Sequence, residues 1–476
     1  MPARSRKPHS DAEGFAVERP LSVTIKSLAG SRREPALTDG RVASRAQRLL
    51  FVRVSEHTAR ALDNLTHSLV GLLAAELVIR VRGRAGQGRR AVGDWYRSAV
   101  YAVSIIGNNL PDLDFSYARI SGKTFGYLLQ HRGYTHTVPA AMLFALLTMA
   151  LVLALARRRA EVIARADWWL LASLSLAAPL LHLAMDLANN YGIHPFWPIY
   201  DGWFYGDSLF ILEPSLWLVI IAPIAFSLRS KAIRVALWIT LAAAVAALWY
   251  RPFVPRSLAL VLSALTCGLL RCAQAMRPPA RALLAVVSFG CVVLSFVIGS
   301  RLAKRLVAAR AQLLFSDSRA LDIVATPMPS NPFCWSVILV AKDSERYSVR
   351  LGRVATFPGW LAVDACPFDR AANPTAPLAP LSIPADRRLR WTAEYRASLA
   401  ELRGLARRCE VSALLRFARV PYFTDRAENQ TRVIGDLRYD RNPDLDFSDF
   451  RLSATPGWCP RYVPPWLPPR ADLLVE

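Results

Sequence analysis

Residues 137–156 read TVPAAMLFALLTMALVLALA, a run without a single charged side chain. An α-helix rises 1.5 Å per residue, so about 20 apolar residues are needed to cross the hydrocarbon core of a bilayer, which is roughly 30 Å thick. This stretch therefore predicts a transmembrane helix and places the chain among membrane proteins.

The composition of the whole chain agrees with that prediction. Of its 476 residues, 53% are apolar, and the mean hydropathy is +0.24. Such a chain is too long for one ordinary domain and too apolar for a typical soluble protein. We predict an α-helical membrane bundle of about eight spans, of which 65–81 and 99–110 are short and carry polar residues. The other predicted spans cover 137–156, 168–188, 209–228, 235–250, 257–270 and 282–299.

The net charge of +23 comes mostly from arginines in the loops between apolar runs. Basic loops beside spans stay on the cytoplasmic side of a membrane, whereas a basic soluble protein often binds nucleic acid. No nucleic-acid-binding motif accompanies these arginines, so we expect membrane lipids and not nucleic acid as partners. The basic loops are 82–97, 157–165, 229–234 and 271–281.

Three regions differ in composition. Residues 1–60 are basic and contain Pro, Ser and Gly throughout, which predicts a mostly disordered tail. Residues 61–315 hold the apolar runs, and residues 316–476 predict a soluble α+β domain. In that domain we expect a strand pair at 334–341 and 347–354, a helix at 392–406 and a last strand at 431–439.

The seven cysteines divide between these regions. Cys267, Cys272 and Cys291 lie in predicted spans, where a small apolar role is expected. The other four lie in the C-terminal region without the C-x-x-C spacing of a zinc knuckle. Disulfides among those four are possible if that region faces an oxidising compartment. They are Cys334, Cys366, Cys409 and Cys459.

Histidines are concentrated in one part of the chain. Five of the seven lie between residues 64 and 200, close in sequence to several aspartates. Ionisable groups in or near membrane spans are costly unless they are paired or bind a cation, so this concentration indicates a functional site. The five are His67, His131, His136, His182 and His194.

Their order along the spans predicts that they meet at one membrane face. His67 opens the first apolar segment, Asp112 and Asp114 follow the second, the sequence HRGYTH at 131–136 precedes the third, and HLAMD at 182–186 ends the fourth. In a bundle of alternating helices, the start of an odd span and the end of an even span lie on the same side. We therefore expect all four groups to lie close together at one membrane face.

The spacing within each group suits metal binding. His182 and Asp186 are four apart, so they project from one helix face. His131 and His136 are five apart, and Gly133 lets the chain turn between them. Imidazole and carboxylate ligands suit zinc, manganese or iron. Taken singly, a polar helix start at His67 or solvated loop acids after Pro111 would explain the same letters.

Four motifs carry a resemblance to a known family. They are DNLTHSLVG at 63–71, NNLPDLD at 108–114, HRGYTHT at 131–137 and HLAMDLANNYGIHPFWP at 182–198. In these the chain resembles the YdjM-type family of bacterial inner-membrane proteins, which are described as membrane-bound metal-dependent hydrolases. The resemblance covers roughly residues 60–230, and PMPSNPFCWSVI at 327–338 is similar to a segment of longer members.

The resemblance implies a multi-pass inner-membrane protein with a divalent-metal site and hydrolytic activity, in a His and Asp pattern similar to that of zinc-dependent phospholipases. We predict one or two divalent cations, with zinc expected first. The substrate would be an ester or phosphoester, with a lipid or a lipid-linked molecule as one candidate. A carrier or regulator with a structural metal site is the alternative. The predicted metal ligands are His67, Asp112, His131, His136, His182 and Asp186.

Two further residues receive predicted catalytic roles. Asp114 is expected to act as general base, or else as a further ligand or an orienting group. Arg132 is expected to stabilise a developing oxyanion. Because the loops on the site side carry fewer basic residues, the site is predicted to lie outside the cytoplasm. The second copy of the acidic motif, NPDLDF at 442–447, has no histidine nearby and predicts only a turn.

Overall fold

The computed structural model describes ten segments of the chain. At residues 56–63, 84 and 119 it describes the backbone but not the side chains. The tail predicted for residues 1–60 lies almost entirely outside these segments, and so does most of the second acidic motif at 442–447. The described segments are 56–84, 93–122, 125–250, 254–366, 375–384, 386–424, 432–440, 445, 447–452 and 459–475.

Helices dominate the first part of the described chain. Short 3-10 helices at Leu110–Ser116 and Tyr134–His136 separate the longer ones and carry site residues. The α-helices are α1 (Glu56–Arg84), α2 (Asp94–Gly107), α3 (Gly126–Gln130), α4 (Val138–Arg158), α5 (Arg165–Leu187), α6 (Pro214–Ile224), α7 (Lys231–Tyr250), α8 (Arg256–Ala275) and α9 (Pro278–Leu314).

Six helices in the described chain are long and apolar enough to cross a membrane: α1, α4, α5, α7, α8 and α9. The predicted count of about eight is not confirmed. The run at 209–228 forms the 11-residue α6, because Pro214 starts the helix late and Glu213 caps it. The run at 99–110 lies in the 14-residue α2 as far as Gly107, where that helix ends. The run at 65–81, predicted to be short, lies in the 20-residue candidate span Asn64–Gly83.

The helices divide between lipid-facing and core positions. On α4, Leu146 is 70% exposed and Leu151 is 60% exposed, as expected for a helix that faces lipid. In contrast, α6 is buried on all sides, with Leu216, Ile220 and Ile224 inaccessible. Apolar residues around its whole circumference therefore place α6 in the centre of the bundle.

The C-terminal region combines two antiparallel sheets with short helices. The larger sheet has the strand order β1-β2-β3-β5-β4, and the smaller has the order β6-β7-β8. The strands are β1 (Arg319–Met328), β2 (Asn331–Lys342), β3 (Arg346–Ala355), β4 (Ala379–Pro380), β5 (Leu389–Ser398), β6 (Pro421–Phe423), β7 (Arg432–Asp436) and β8 (Phe450–Leu452). The helices are α10 (Leu399–Ala406), α11 (Cys409–Leu415) and α12 (Ala471–Leu474).

The predicted strand pair is confirmed, with Val340 of β2 opposite Val349 of β3. The predicted helix at 392–406 is wrong in its first half, because residues up to Ser398 pair with β3 as β5. Aromatic Trp391 and Tyr395 favour a strand there, and both are buried. Ser398 then caps α10. The last predicted strand, 431–439, is shortened to β7.

Two disulfides join the four C-terminal cysteines. Cys334 is bonded to Cys366 and Cys409 to Cys459, with Cα–Cα distances of 5.6 and 5.4 Å. The three remaining cysteines are free and lie exposed on α8 and α9. The possibility that the C-terminal cysteines are oxidised is thus realised in the fold.

The C-terminal region packs directly on the helical bundle. Arg419, just before β6, donates to Asp207 in the loop before α6 and to Asp322 of β1, at distances of 2.7 to 3.1 Å. Arg438, after β7, donates to the carbonyl of Asn190 at 2.6 Å. Residues 189–207 follow α5, which carries His182 and Asp186. These contacts therefore bring the C-terminal region to the end of the bundle that carries the histidines.

Candidate metal centre

The 3-10 helix Leu110–Ser116 carries the first pair of acids. Pro111 cannot continue α2 with a backbone hydrogen bond, so the chain turns beyond Gly107. The turn points Asp112 and Asp114 back into the bundle, where Asp114 is fully buried. The sequence HRGYTH lies opposite, and Arg132 within it adopts a positive φ of 58°. Such a φ is costly for an arginine, so its contacts must stabilise the turn.

Four ligand-type atoms converge between these elements. The Nε2 atom of His136 lies 3.0 Å from Nε2 of His182, 3.1 Å from Oδ2 of Asp186 and 3.5 Å from Oδ1 of Asp112. The Nε2 atom of His182 lies 3.3 Å from the same Asp186 oxygen and 3.7 Å from the Asp112 oxygen. All four side chains are buried or nearly so.

The other nitrogens of the two rings determine their tautomers. The Nδ1 atom of His182 lies 2.8 Å from the carbonyl oxygen of Asn108, which only accepts, so Nδ1 donates. The Nδ1 atom of His136 lies 3.1 Å from a carboxylate oxygen of Asp114 and likewise donates. In their neutral forms both rings then direct Nε2 lone pairs at each other and at two carboxylate oxygens.

This arrangement suits a cation. Four lone-pair atoms repel one another unless a positive charge lies among them. A tetrahedral zinc site with bonds of about 2.0–2.1 Å places its ligand atoms about 3.3 Å apart. The separations given above, 3.0 to 3.7 Å, bracket that value. Asp112, His136, His182 and Asp186 therefore fit a divalent metal ion.

His67 extends this group on one side. Its ring stacks on His182 with centroids 3.8 Å apart, and its Nε2 atom lies 3.5 Å from Oδ1 of Asp186. His67, His182 and Asp186 each offer a ligand atom within 4.8 Å of the others. Asp186 therefore belongs to both groups, because its Oδ2 faces His136 and His182 while its Oδ1 faces His67.

Asp114 and His131 extend the group on the other side. Asp114 accepts from the Arg132 amide at 2.8 Å and the Thr135 hydroxyl at 3.3 Å, and its oxygens also face His131 and His136. Burial raises the pKa of Asp114, but the two histidines outweigh it and hold the pKa below its ordinary value. A carboxylate surrounded by donors in this way orients its neighbours.

The same carboxylate affects the His136 ring. Burial by itself lowers the pKa of His136, but Asp114, together with Asp112 and Asp186, more than reverses this and holds the pKa well above its ordinary value. In the absence of a cation, His136 would therefore keep a proton. Metal binding here must displace that proton, so acid is expected to compete with the metal.

Arg132 lies beneath Asp186 and is fully buried. Its Nη2 atom is 2.8 Å from Oδ1 of Asp186, and its Nη1 donates to Oδ1 of Asn189 at 2.8 Å. The guanidinium also lies over the ring of Tyr191, 4.9 Å from its centroid. These contacts fix the orientation of the Asp186 carboxylate.

All eight residues predicted from sequence thus lie in one connected cluster. Their separate roles as ligand, base or oxyanion stabiliser stay predictions. The cluster comprises His67, Asp112, Asp114, His131, Arg132, His136, His182 and Asp186.

His131 also belongs to an aromatic stack. Phe115 and Tyr127 stack near its ring, with centroids 4.4 and 4.8 Å away. Phe447, in the second acidic motif, contacts Tyr127 edge-on at 5.3 Å. The acids of that motif lie outside the described residues, so its prediction as a turn is not tested. Its phenylalanine nevertheless packs next to the site.

Sequence reasoning grouped His194 with the other histidines, but its ring lies outside the ligand cluster. It stacks on Trp466 of the C-terminal region at 4.0 Å and faces the Arg132 carbonyl at 3.4 Å. Trp466 itself is buried and donates to the carbonyl of Leu129 at 3.2 Å. Trp466 went unnoticed in the sequence because it lies near the opposite end of the chain from the motifs that it covers.

Glu213 was also missed. It lines a narrow cleft together with His67 and Asp186, and the free space there, about 10 Å³, suits a single water molecule. Ser215 and Ser330 donate to its carboxylate, and burial raises the pKa of Glu213 to about 7. An acid directly before a proline at the start of an apolar run was the available signal. Apolar residues complete the cleft: Met185, Leu209, Phe210, Ile211 and Leu216.

Comparisons with known proteins agree with the motifs. An uncharacterised protein of Bacillus subtilis (strain 168), YfhP, is 27% identical over 127 residues, which span 27% of this chain and 36% of that protein. No solved structure gives a significant match. Residues 62–258, less than half of the chain, match the family model. This segment includes all eight predicted site residues, and it is similar to the YdjM inner membrane protein family.

Proposed function

We propose that this chain is a membrane-bound metal-dependent hydrolase that cleaves an ester or phosphoester of a lipid-like substrate. The observation that carries the proposal is the convergence of His136, His182, Asp112 and Asp186 on one point. If bound there, a divalent cation would supply Lewis acidity and would activate water for attack near neutral pH.

Each surrounding residue has a distinct task in the proposal. Asp114 keeps His136 and His131 oriented through its charged carboxylate. Arg132 orients Asp186 in the same way. Because both of these groups are occupied by structural contacts, neither is well placed for proton transfer or for oxyanion binding without rearrangement.

Glu213 is a further candidate for the proton acceptor, and its carboxylate also accepts structural hydrogen bonds, from Ser215 and Ser330. It lies on the cleft that His67 and Asp186 also line, and its pKa of about 7 suits a group that exchanges protons at neutral pH. The apolar walls of this cleft favour a substrate with a hydrocarbon part. The bond cleaved would then be at the headgroup end of such a molecule.

One observation favours the second candidate, a carrier or regulator with a structural metal. The cleft has room for about one water, so a substrate enters only if the loop at 209–213 moves. A closed site of four protein ligands is typical of structural zinc. The two candidates predict the same bound metal and differ in turnover.

We further propose that the site faces outside the cytoplasm. Disulfides persist in oxidising compartments, and both disulfides of this chain lie in the region that packs on the site through Arg438 and Trp466. At the other ends of the helices, Arg229 pairs with Asp94. That end carries basic loops, as the cytoplasmic side does in membrane proteins.

The decisive experiment measures metal and turnover on the same samples. Wild-type protein, His182→Ala and the exposed-acid control Asp317→Asn are purified in detergent and assayed for zinc, manganese and iron by mass spectrometry. Each is then incubated with phospholipids labelled in the acyl chain or the headgroup. Hydrolysis that disappears with the metal in His182→Ala supports the hydrolase. Bound metal without hydrolysis of any substrate supports the structural role, and wild-type protein without metal contradicts both.

Orientation is tested by labelling single cysteines in a background that lacks Cys267, Cys272 and Cys291. Ser116→Cys lies on the site face and Ser230→Cys on the opposite face, and both positions are exposed. A membrane-impermeant maleimide added to intact cells is expected to label Ser116→Cys. Labelling of Ser230→Cys instead would reverse the orientation.

A further inference from the structure

A second cavity lies on the outer side of α9, away from the metal centre. It has a volume of about 340 Å³, which is at the lower end for ligand-binding pockets. One wall is α9, and the others are the turn after β3 and the turn before β5. The lining residues are Leu306, Arg310, Pro358, Gly359, Asp386, Arg387 and Arg388.

The cavity is basic. Arg310 pairs with Asp386, which is the acid among the lining residues. Arg387 donates to the carbonyl of Pro358 at 3.3 Å, which holds its guanidinium at the rim. Arg388 is exposed on the same turn. Three arginines against one aspartate leave an excess of positive charge, so the cavity suits an anion, and arginine geometry favours phosphate.

The length of α9 places this cavity at the membrane surface. The apolar part of α9 begins after Arg281, which contacts the carbonyls of Ala273 and Phe226 at the opposite face. About 20 residues at 1.5 Å each span the hydrocarbon core, which brings its outer edge near Arg301. Leu306 then lies about 7 Å beyond that edge, within the headgroup layer.

Exposed aromatic rings support that position. Phe357 and Trp360 flank Pro358 and Gly359 in the turn that forms one wall, and each is 51% exposed. Both rings contact Phe333 at the base of the turn, with centroids 5.5 and 4.8 Å away. Exposed aromatic residues beside a span are typical of the membrane–water interface, where one side is apolar and the other wet.

We propose that this cavity binds the phosphate headgroup of an anionic membrane phospholipid. Arg387 and Arg388 contact the phosphate, while Phe357 and Trp360 lie against the acyl-chain region below it. Bound lipid would fasten the C-terminal region to the membrane at a point separate from the metal centre. This site does not depend on the proposed hydrolysis.

The proposal is tested with full-length protein in detergent, by lipid titration and thermal unfolding. Wild-type protein is expected to be stabilised by phosphatidylglycerol and much less by phosphatidylcholine. The contribution of one basic side chain near an anionic surface corresponds to about fivefold in affinity, so Arg387→Gln with Arg388→Gln should weaken binding about 30-fold. Arg451→Gln with Arg461→Gln removes two exposed arginines elsewhere and should leave binding unchanged.

Each other outcome contradicts the proposal. Equal stabilisation by the two lipids excludes headgroup recognition. Stabilisation by inorganic phosphate at the same concentration would mean a site for free phosphate. Equal weakening in the Arg451 and Arg461 control would mean general charge attraction. If the double variant does not fold, Arg388→Gln alone is measured, and unchanged phosphatidylglycerol binding in it would overturn the assignment.

Discussion

The Nε2 atoms of His136 and His182 lie 3.0 Å apart, and the Nδ1 atom of each ring faces an acceptor. Two neutral imidazoles held in this way have no proton to share between them. Their approach is therefore unfavourable unless a cation or an extra proton lies between the rings, and the two nearby carboxylates stabilise either positive charge.

The first prediction concerns these two rings. His136→Ala and His182→Ala should each lower metal affinity by more than the 10–100-fold typical of residues that only orient a ligand. Competition with a fluorescent zinc chelator measures the affinity, and circular dichroism checks folding. Asp317→Asn, an exposed acid outside the cluster, should match wild type. Folded alanine variants that retain wild-type affinity would remove the metal centre from the proposal.

A substitution of Asp114 tests whether this residue orients the metal ligands or is itself a ligand. Asp114→Asn keeps the shape of the side chain but removes the charge that His131, His136 and the Arg132 amide face. We expect a loss of about 10–100-fold in metal affinity, smaller than that of His136→Ala. The same chelator competition measures it. A loss as large as that of His136→Ala would indicate that Asp114 is itself a ligand.

Trp466 tests whether the C-terminal region supports the site. Its ring contacts His194 and Tyr134 and its indole donates to Leu129, so Trp466→Ala leaves a cavity above the HRGYTH segment. Substitution of a buried Trp by Ala typically costs about 3–5 kcal/mol of stability. Thermal unfolding in detergent measures the change. Trp466→Phe keeps the stacking and should cost less; equal losses would mean that the indole hydrogen bond dominates.

We expect the stability of the folded protein to depend on pH through His194. Burial lowers the pKa of His194 to about 3, whereas an unfolded histidine titrates near 6.5. Between these values the unfolded chain binds a proton that the folded chain does not, so stability is complete above about pH 6.5 and falls as the pH decreases. His194→Gln should flatten the stability profile between pH 6.5 and 4. An unchanged slope in this variant would assign the acid sensitivity to other groups.

If both disulfides are present, only the cysteines outside them should react with a thiol reagent. Under denaturing but non-reducing conditions, three of the seven cysteines should react with a thiol reagent, namely those on α8 and α9. Replacing Cys334 and Cys366 by Ser should cost about 2–5 kcal/mol in the C-terminal region. The control replaces Cys267, Cys272 and Cys291 and should have little effect. Seven reactive thiols in protein from the native membrane would contradict the extracytoplasmic placement.

Sequence patterns predicted most of the helical elements and failed where the immediate neighbours mattered more than hydropathy. The run at 209–228 is as apolar as a span, but Glu213 and Pro214 delay the start of its helix, which ends at Ile224 after 11 residues. Residues 392–398 match a helical pattern, but pairing with β3 makes them a strand. In the first case a helix cap, and in the second a partner strand distant in sequence, determined the structure in place of the hydropathy pattern.

The sequence by itself predicted that the chain is a multi-pass membrane protein and that its histidines and aspartates meet at one end of the helical bundle. Both follow from the lengths of apolar runs and from the alternating direction of successive helices, which are properties of residue order. Only the tertiary structure decided which atoms meet. Whether His136 faces His182, or Trp466 covers His194, depends on how each helix is rotated and on how a segment from the far end of the chain packs. Packing between residues distant in sequence determines both of these contacts.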